Sequence, residues 1–306
     1  MPEQGVIASD MLGEALEQMR KDVDRHFDIL LTVPDDTRAP LYEAMRHAAI
    51  GGGKRLRPLL LYATAQMYGV DREAAVRAGC AVEAIHVYSL IHDDLPCMDD
   101  DDLRHGQPTV HKAFDEATAV LAGDALHALA FEILVSPQVG NDPFVQSQLV
   151  SALARASGMD GMAGGQMMDI MAETASKDDF DLHTVTRLQQ LKTGALLGAA
   201  VEMGAILGHV PDEGRHHLKS YARDIGLAFQ IVDDLLDHDG DEALAGKALR
   251  KDAAAGKATF VSLLGPERAR DQANMLVEQA VGHLASHGEE AAILRGVARY
   301  IVERDR

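Results

Sequence analysis

Residues 80–102 read CAVEAIHVYSLIHDDLPCMDDDD, an apolar run at helical spacing that ends in six aspartates within ten residues. The run is the second half of a longer helical pattern, Arg72 to Leu95. A helix this apolar is expected to be buried. It then delivers Asp93 and Asp94 from a core element, not from a solvated tail. Pro96 ends or kinks the helix, which turns Asp99 back towards Asp93. Charge runs are ordinarily solvated faces, and six carboxylates this close repel one another; their placement weighs against the solvated reading. Clustered carboxylate oxygens suit a hard cation such as Mg2+, which binds through one or two carboxylates plus phosphate oxygens. Without a neighbouring Cys/His set, zinc does not fit. His86 precedes Asp93 by seven residues, and two helical turns drift by only about 20°, so both can face one cavity. Taken alone, His86 is more simply a satisfied core histidine.

Further on, residues 229–237 read FQIVDDLLD. Asp233 and Asp237 are i and i+4 on one helix face, with Gln230 on the same side. Like charges at this spacing cost a helix a few tenths of a kcal/mol, and the face is otherwise apolar. A cation explains the carboxylates better than a structural role does. Asp237, Asp239 and Asp241 do not make an EF-hand: Glu242 stands where the loop needs Gly, and Ala248 where it needs Glu.

The basic residues are dispersed. Residues 50–58 read IGGGKRLRP, with Pro58 suited to the first turn of the next helix. Lys54, Arg55 and Arg57 at such a helix start suit an anion, although taken alone the element is more often an ordinary cationic surface. The segment is not a P-loop, because Arg55 replaces the Ser/Thr and Ala48 the first glycine. Arg104 and His105 follow the first cluster. Lys192-Thr193-Gly194 interrupts a helix of small and apolar residues. Lys247 and Lys257 lie in or just after a polar stretch, His238 to Gly256, read as a long loop.

Over the 306 residues the formal net charge is −19, which excludes nucleic acid as a partner. Hydrophobic residues reach 47% while aromatics are 4%, a balance that favours packed helices. Cys80 and Cys97 make neither a disulfide framework nor a zinc motif. No secretory signal is seen, and a cytoplasmic location is expected. The longest apolar stretch, Thr193 to Val210, has Glu202 in its middle and reads as a buried core helix, not a membrane span. Helical periodicity also marks Met11 to Leu31, Pro58 to Tyr68, Ala117 to Leu134, Phe144 to Ala156, Thr184 to Leu207, Leu218 to Leu236 and Met275 to His287. No strand is required. One all-α domain over residues 1–306 is expected.

Two carboxylate clusters and several separate cations suit a ligand with two anionic groups, one bound through metal and one directly by Lys and Arg. No nucleophile with an adjacent base and no dinucleotide turn stands out. Metal-assisted departure of diphosphate fits.

The segments Gly52 to Pro58, His86 to His111, Gly164 to Asp169, Lys192 to Gly194, Phe229 to Asp237 and Gly256 to Thr259 resemble, in order, the short-chain trans-isoprenyl diphosphate synthases of the polyprenyl synthetase family. The resemblance implies an all-α isoprenoid synthase fold, many helices around a deep central cavity, and a homodimer. It implies that Asp93, Asp94, Asp99, Asp233, Asp234 and Asp237 hold Mg2+, as three ions that Mn2+ can replace. Arg104, Lys192, Thr193, Gln230, Lys247 and Lys257 would contact the allylic diphosphate. Lys54, Arg57 and His86 would hold isopentenyl diphosphate. Lys192, Thr193 and Gln230 would serve the reaction itself. Family members usually carry a second arginine at the position of His105, which helps hold isopentenyl diphosphate; a histidine there would titrate near neutrality.

The resemblance also makes Tyr88, five residues before Asp93, the cavity floor, with Ser89 beside it. Together with the Pro96-Cys97 insertion this is similar to bacterial farnesyl diphosphate synthases. Geranyl or geranylgeranyl products are the alternative. A class I terpene cyclase would not need Lys54, Arg57 and His86. A non-catalytic partner subunit tends to lose one aspartate cluster.

Overall fold

The computed structural model describes residues 2–174, 181–239 and 258–304. The elements are α1 (Pro2–Leu30), α2 (Ala39–Ala49), α3 (Leu56–Gln66), α4 (Arg72–Asp93), a hairpin of β1 (Leu103–Arg104) and β2 (Gln107–Pro108), α5 (Val110–Ala113), α6 (Glu116–Leu134), α7 (Pro143–Ser157), α8 (Met162–Thr174), α9 (Leu182–Gln189), a π turn (Gln190–Gly194), α10 (Ala195–Leu207), α11 (His216–Asp239), α12 (Phe260–Leu264), α13 (Pro266–His283) and α14 (Ala292–Glu303). The fold is all-α, as expected from the periodicity.

The centre is built from α3, α4 and α10. Helix α4 lies between α3 and α6, and α10 packs on α3, α7 and α11. Glycine allows two of these approaches. A Cβ on Gly79 would stand 3.1 Å from the Pro58 Cα, and one on Gly204 2.5 Å from the Leu61 carbonyl oxygen. Leu59, Leu60 and Leu61 are fully buried; each such side chain stabilises the fold by about 1.5–3 kcal/mol. Helix α10 is the buried core helix anticipated for Thr193 to Val210, and its Glu202 meets Lys219 at 3.3 Å. Helices α4 and α6 are long and apolar enough to cross a bilayer, but both pack into this domain, and 67% of the α4 window is buried.

Several features depart from the periodicity, among them helix α8 and the short α5 and α12, which lie outside the periodic stretches. The expected helix Thr184 to Leu207 is broken by the π turn. Helices α2 and α14 span only 11 and 12 residues, about the shortest windows in which a 3.6 period shows. The hairpin was not expected: its strands have two residues each, too few for alternation to register. It turns on His105 and Gly106, whose φ values of 51° and 78° match the left-handed pair of a tight hairpin.

Candidate active site

Helix α4 starts on Asp71, whose carboxylate accepts the Ala74 N–H at 3.2 Å. Twenty-two residues later it presents Asp93, with Asp94 as its C-cap. Beyond Pro96 the chain doubles back, and the Asp99 N–H donates to the Asp93 carbonyl at 2.8 Å. Asp94 is buried at 3% exposure and accepts from Arg104 Nε at 3.0 Å; Arg104 also reaches Asp101 at 3.4 Å. Among the described residues Asp93 carries no such partner. Burial pushes its carboxyl up to about 6; Lys192 and Arg104 oppose the rise, while Asp99 and Asp94 add to it. Among the described residues no three Asp, Glu, His or Cys side chains converge into a metal cage; Mg2+ takes only one or two carboxylates plus phosphate oxygens, and Asp93 with Asp99 meets that smaller demand.

On α11, Gln230 Nε2 donates to Asp233 Oδ2 at 3.3 Å. Asp237 lies one turn further on the same face. Asp233 Oδ1 is 2.7 Å from Arg304 Nη2. Asp234 turns the other way: it is buried and accepts the Phe260 N–H at 2.7 Å, tying α11 to α12. The adjacent aspartates of this cluster therefore do different work.

The basic residues at the head of α3 also divide. Arg55, at φ 52°, folds inward. It is 2% exposed and bonds Glu83 at 2.8 Å, Asp24 at 2.8 Å and the Ala49 carbonyl at 2.6 Å. Its charge is consumed inside the protein, so the sequence reading that grouped it with Lys54 and Arg57 is corrected. Arg57 has a buried Nε with no hydrogen-bond partner among the described residues. Burial lowers its pKa, opposed by Glu83 and Asp233. His86 is held well below its usual value by burial, then by Arg57, Arg55, His105 and Arg104, so its imidazole is neutral. The His105 ring lies against the glycine loop: a Cβ on Gly52 would stand 3.1 Å from its Nδ1. Burial, Arg104 and Arg55 lower its pKa as well, which moves it away from the near-neutral titration expected of it. Lys54 is exposed, with its ammonium 5.6 Å from the Tyr300 ring centroid.

Lys192 and Thr193 sit on the π turn, a distortion often found at functional sites. Its neighbour is α8, where a Cβ on Gly165 would fall 2.2 Å from the Lys192 backbone nitrogen. One helical turn on, Asp169 Oδ2 takes the Lys192 ammonium at 2.5 Å. Tyr88, half-buried, makes edge contacts with His92 and His127 at centroid distances of 5.7 and 4.9 Å. Ser89 turns its hydroxyl back to the His86 carbonyl at 2.8 Å. Lys247 and Lys257 lie outside the described residues.

Thus Asp93, Asp94, Asp99 and Arg104 form one group, and Gln230, Asp233 and Asp237 a second. Arg57, His86 and His105 form a third, which feels the charge of Asp233 through Arg57. The sequence reading missed Arg304, Tyr300, Glu83 and the role of Asp169. Of these, Asp169 lay in a segment already singled out, Gly164 to Asp169, and Glu83 in the apolar run from Cys80.

Residues 38–296 match the family model for polyprenyl synthetase. The chain is 46% identical over 276 residues to a farnesyl diphosphate synthase of Escherichia coli (strain K12), covering 87% of this chain and 90% of that protein. It is 44% identical over 278 residues to the chloroplastic geranylgeranyl pyrophosphate synthase 11 of Arabidopsis thaliana, covering 90% and 77%. Among solved structures, an apo FPP/GFPP synthase from Zymomonas mobilis superposes with a TM-score of 0.88 at 60% identity, covering 96% of this chain and 99% of that one.

Proposed function

This chain belongs to the polyprenyl synthetase family, and we propose that it condenses isopentenyl diphosphate with dimethylallyl and then geranyl diphosphate to give farnesyl diphosphate, releasing diphosphate. The observation that carries this reading is the division of charge: two carboxylate groups on α4 and α11, and a separate cationic group at the head of α3.

Asp93, Asp94 and Asp99, with Asp233 and Asp237, would hold Mg2+, three ions in all, while Asp234, which the sequence reading grouped with them, braces α11 against α12. When bound, the metal supplies Lewis-acid neutralisation of the leaving diphosphate. Lys192 and Arg104, with Lys247 and Lys257, hold that same diphosphate. Lys54, Arg57, His86 and His105 hold the diphosphate of the second substrate. The allylic C–O bond breaks, and its electron pair leaves with the diphosphate. The side-chain oxygens of Thr193 and Gln230 face the allylic cation. The homoallylic double bond closes the new C–C bond, and a proton passes to the departing diphosphate. Residues 1–306 act as one domain.

Tyr88 limits the product at fifteen carbons. A second reading, a longer product, is favoured by one observation: Tyr88 is backed by His127, an exposed residue on α6, so the floor is a pair of rings and not deep core. Tyr88→Ala is expected to lengthen the product, read by chromatography; a mutant still stopping at fifteen carbons removes Tyr88 from the floor.

Homodimer formation is supported by apolar side chains exposed on α6 (Val120, Leu121) and α8 (Met167, Met171). A cytoplasmic location accords with the reading. Incubation with geranyl diphosphate, with and without isopentenyl diphosphate, tests the function. A fifteen-carbon diphosphate that requires both substrates is expected. Consumption of the allylic substrate alone would mean a cyclase.

A further inference from the structure

Arg304 follows α14 and is 8% exposed. Besides its 2.7 Å contact with Asp233 Oδ1, it donates to the Phe229 carbonyl at 2.9 Å and lies 3.8 Å from the Phe229 ring centroid. Its Nε is buried with no hydrogen-bond partner among the described residues. The helix before it is firmly seated. Leu294, Val297, Ala298 and Ile301 are buried, and the Tyr221 hydroxyl donates to the Leu294 carbonyl at 2.7 Å. A fixed helix thus presses a cation onto one carboxylate of the second cluster.

A divalent cation seated on Asp233 would crowd the guanidinium on Oδ1. The two cations repel each other. A buried arginine without its counter-ion is strongly disfavoured, so a displaced Arg304 must find another anion. The neighbouring ground is cationic and incompletely bonded. Arg57, which feels the charge of Asp233, has its own unpartnered buried Nε, and Tyr300, one turn before Arg304, lies beside Lys54.

We propose that Arg304 is a placeholder cation: it neutralises Asp233 while no metal is bound, and metal binding displaces it towards the second diphosphate. Metal loading and the order of the end of α14 are then coupled. The inference rests on the reading of Asp233 as a metal ligand. Arg304 is a positioning residue for the second cluster and touches substrate only after the exchange.

The test is calorimetric titration of the full-length protein with Mg2+ in the presence of inorganic pyrophosphate, paired with amide hydrogen exchange over residues 300–304. Arg304→Met, which keeps apolar contact with Phe229, is expected to bind Mg2+ about tenfold tighter than wild type. Arg304→Lys, which keeps the charge, should fall between. In the wild type, metal should speed exchange at the end of α14; in Arg304→Met it should change nothing. Equal affinities in all three proteins, or exchange in the wild type that ignores the metal, overturn the proposal. Asp237→Asn separates the underlying reading: if this variant binds Mg2+ as the wild type does, the cluster is not a metal site, and the failure lies there instead.

Discussion

The carboxylate and cationic groups of the site are held by different kinds of backbone. Asp93, Asp233 and Asp237 come from regular helix, the end of α4 and one face of α11, with Asp94 and Asp99 on the turn that follows α4. The cationic group gathers where Arg57 at the head of α3 and His86 on α4 meet two tight turns, in which Gly51, Gly53, Arg55, His105 and Gly106 all have positive φ. Their charge balance differs too. Asp93 is buried among like charges, with its carboxyl pushed up to about 6. On the cationic side Glu83 absorbs Arg55 and His86 is kept neutral, which leaves Arg57 with an unused donor. On the proposed function, the first group needs a cation from solution before it can take an anion, whereas the second can take one directly.

Removing a carboxylate should break this contrast most severely. Asp93→Asn is expected to lower kcat about 10^3-fold while the protein stays folded, measured by diphosphate release and circular dichroism. A variant retaining near-full kcat would mean that Asp93 does not serve the leaving group. On the other side, Arg57→Gln should raise KM for isopentenyl diphosphate by about 10–100-fold, the value of a charged hydrogen bond. Its KM for the allylic substrate should hardly move. Equal effects on both substrates would dissolve the division. The smallest effect separates two aspartates within one cluster. Asp234→Ala strands the buried Phe260 N–H and should lower stability by about 1–3 kcal/mol in urea unfolding. Asp237→Ala should leave stability within about 0.5 kcal/mol while still impairing metal binding. The reverse ranking would show that Asp237 is the structural member.

Much of this was legible in the residues. An apolar helix running into Asp93, and Gln230, Asp233 and Asp237 on one face, follow from period alone. Even the return of Asp99 towards Asp93 follows from Pro96. What escaped depends on tertiary placement. Arg55 and Arg57 are chemically identical near neighbours; the left-handed backbone at Arg55 sends one inward, and no local pattern announces it. The π turn under Lys192 and Thr193 has no signature in propensity; α8 reaches it closely because Gly165 has no side chain. Arg304 lies 71 residues beyond Asp233, and only the packing of α14 brings them together. Asp234 reads as a twin of Asp233, yet its position on the helix turns it to α12.

Equilibrium binding tests the central claim most directly. Isopentenyl diphosphate and a non-ionisable geranyl diphosphate analogue are titrated separately into the protein, with Mg2+ and with chelator. Isopentenyl diphosphate is predicted to bind in both conditions, and the allylic analogue only when Mg2+ is present. If both ligands lose binding in chelator, or both keep it, the two groups do not divide the diphosphates between metal and direct contact, and the account is contradicted.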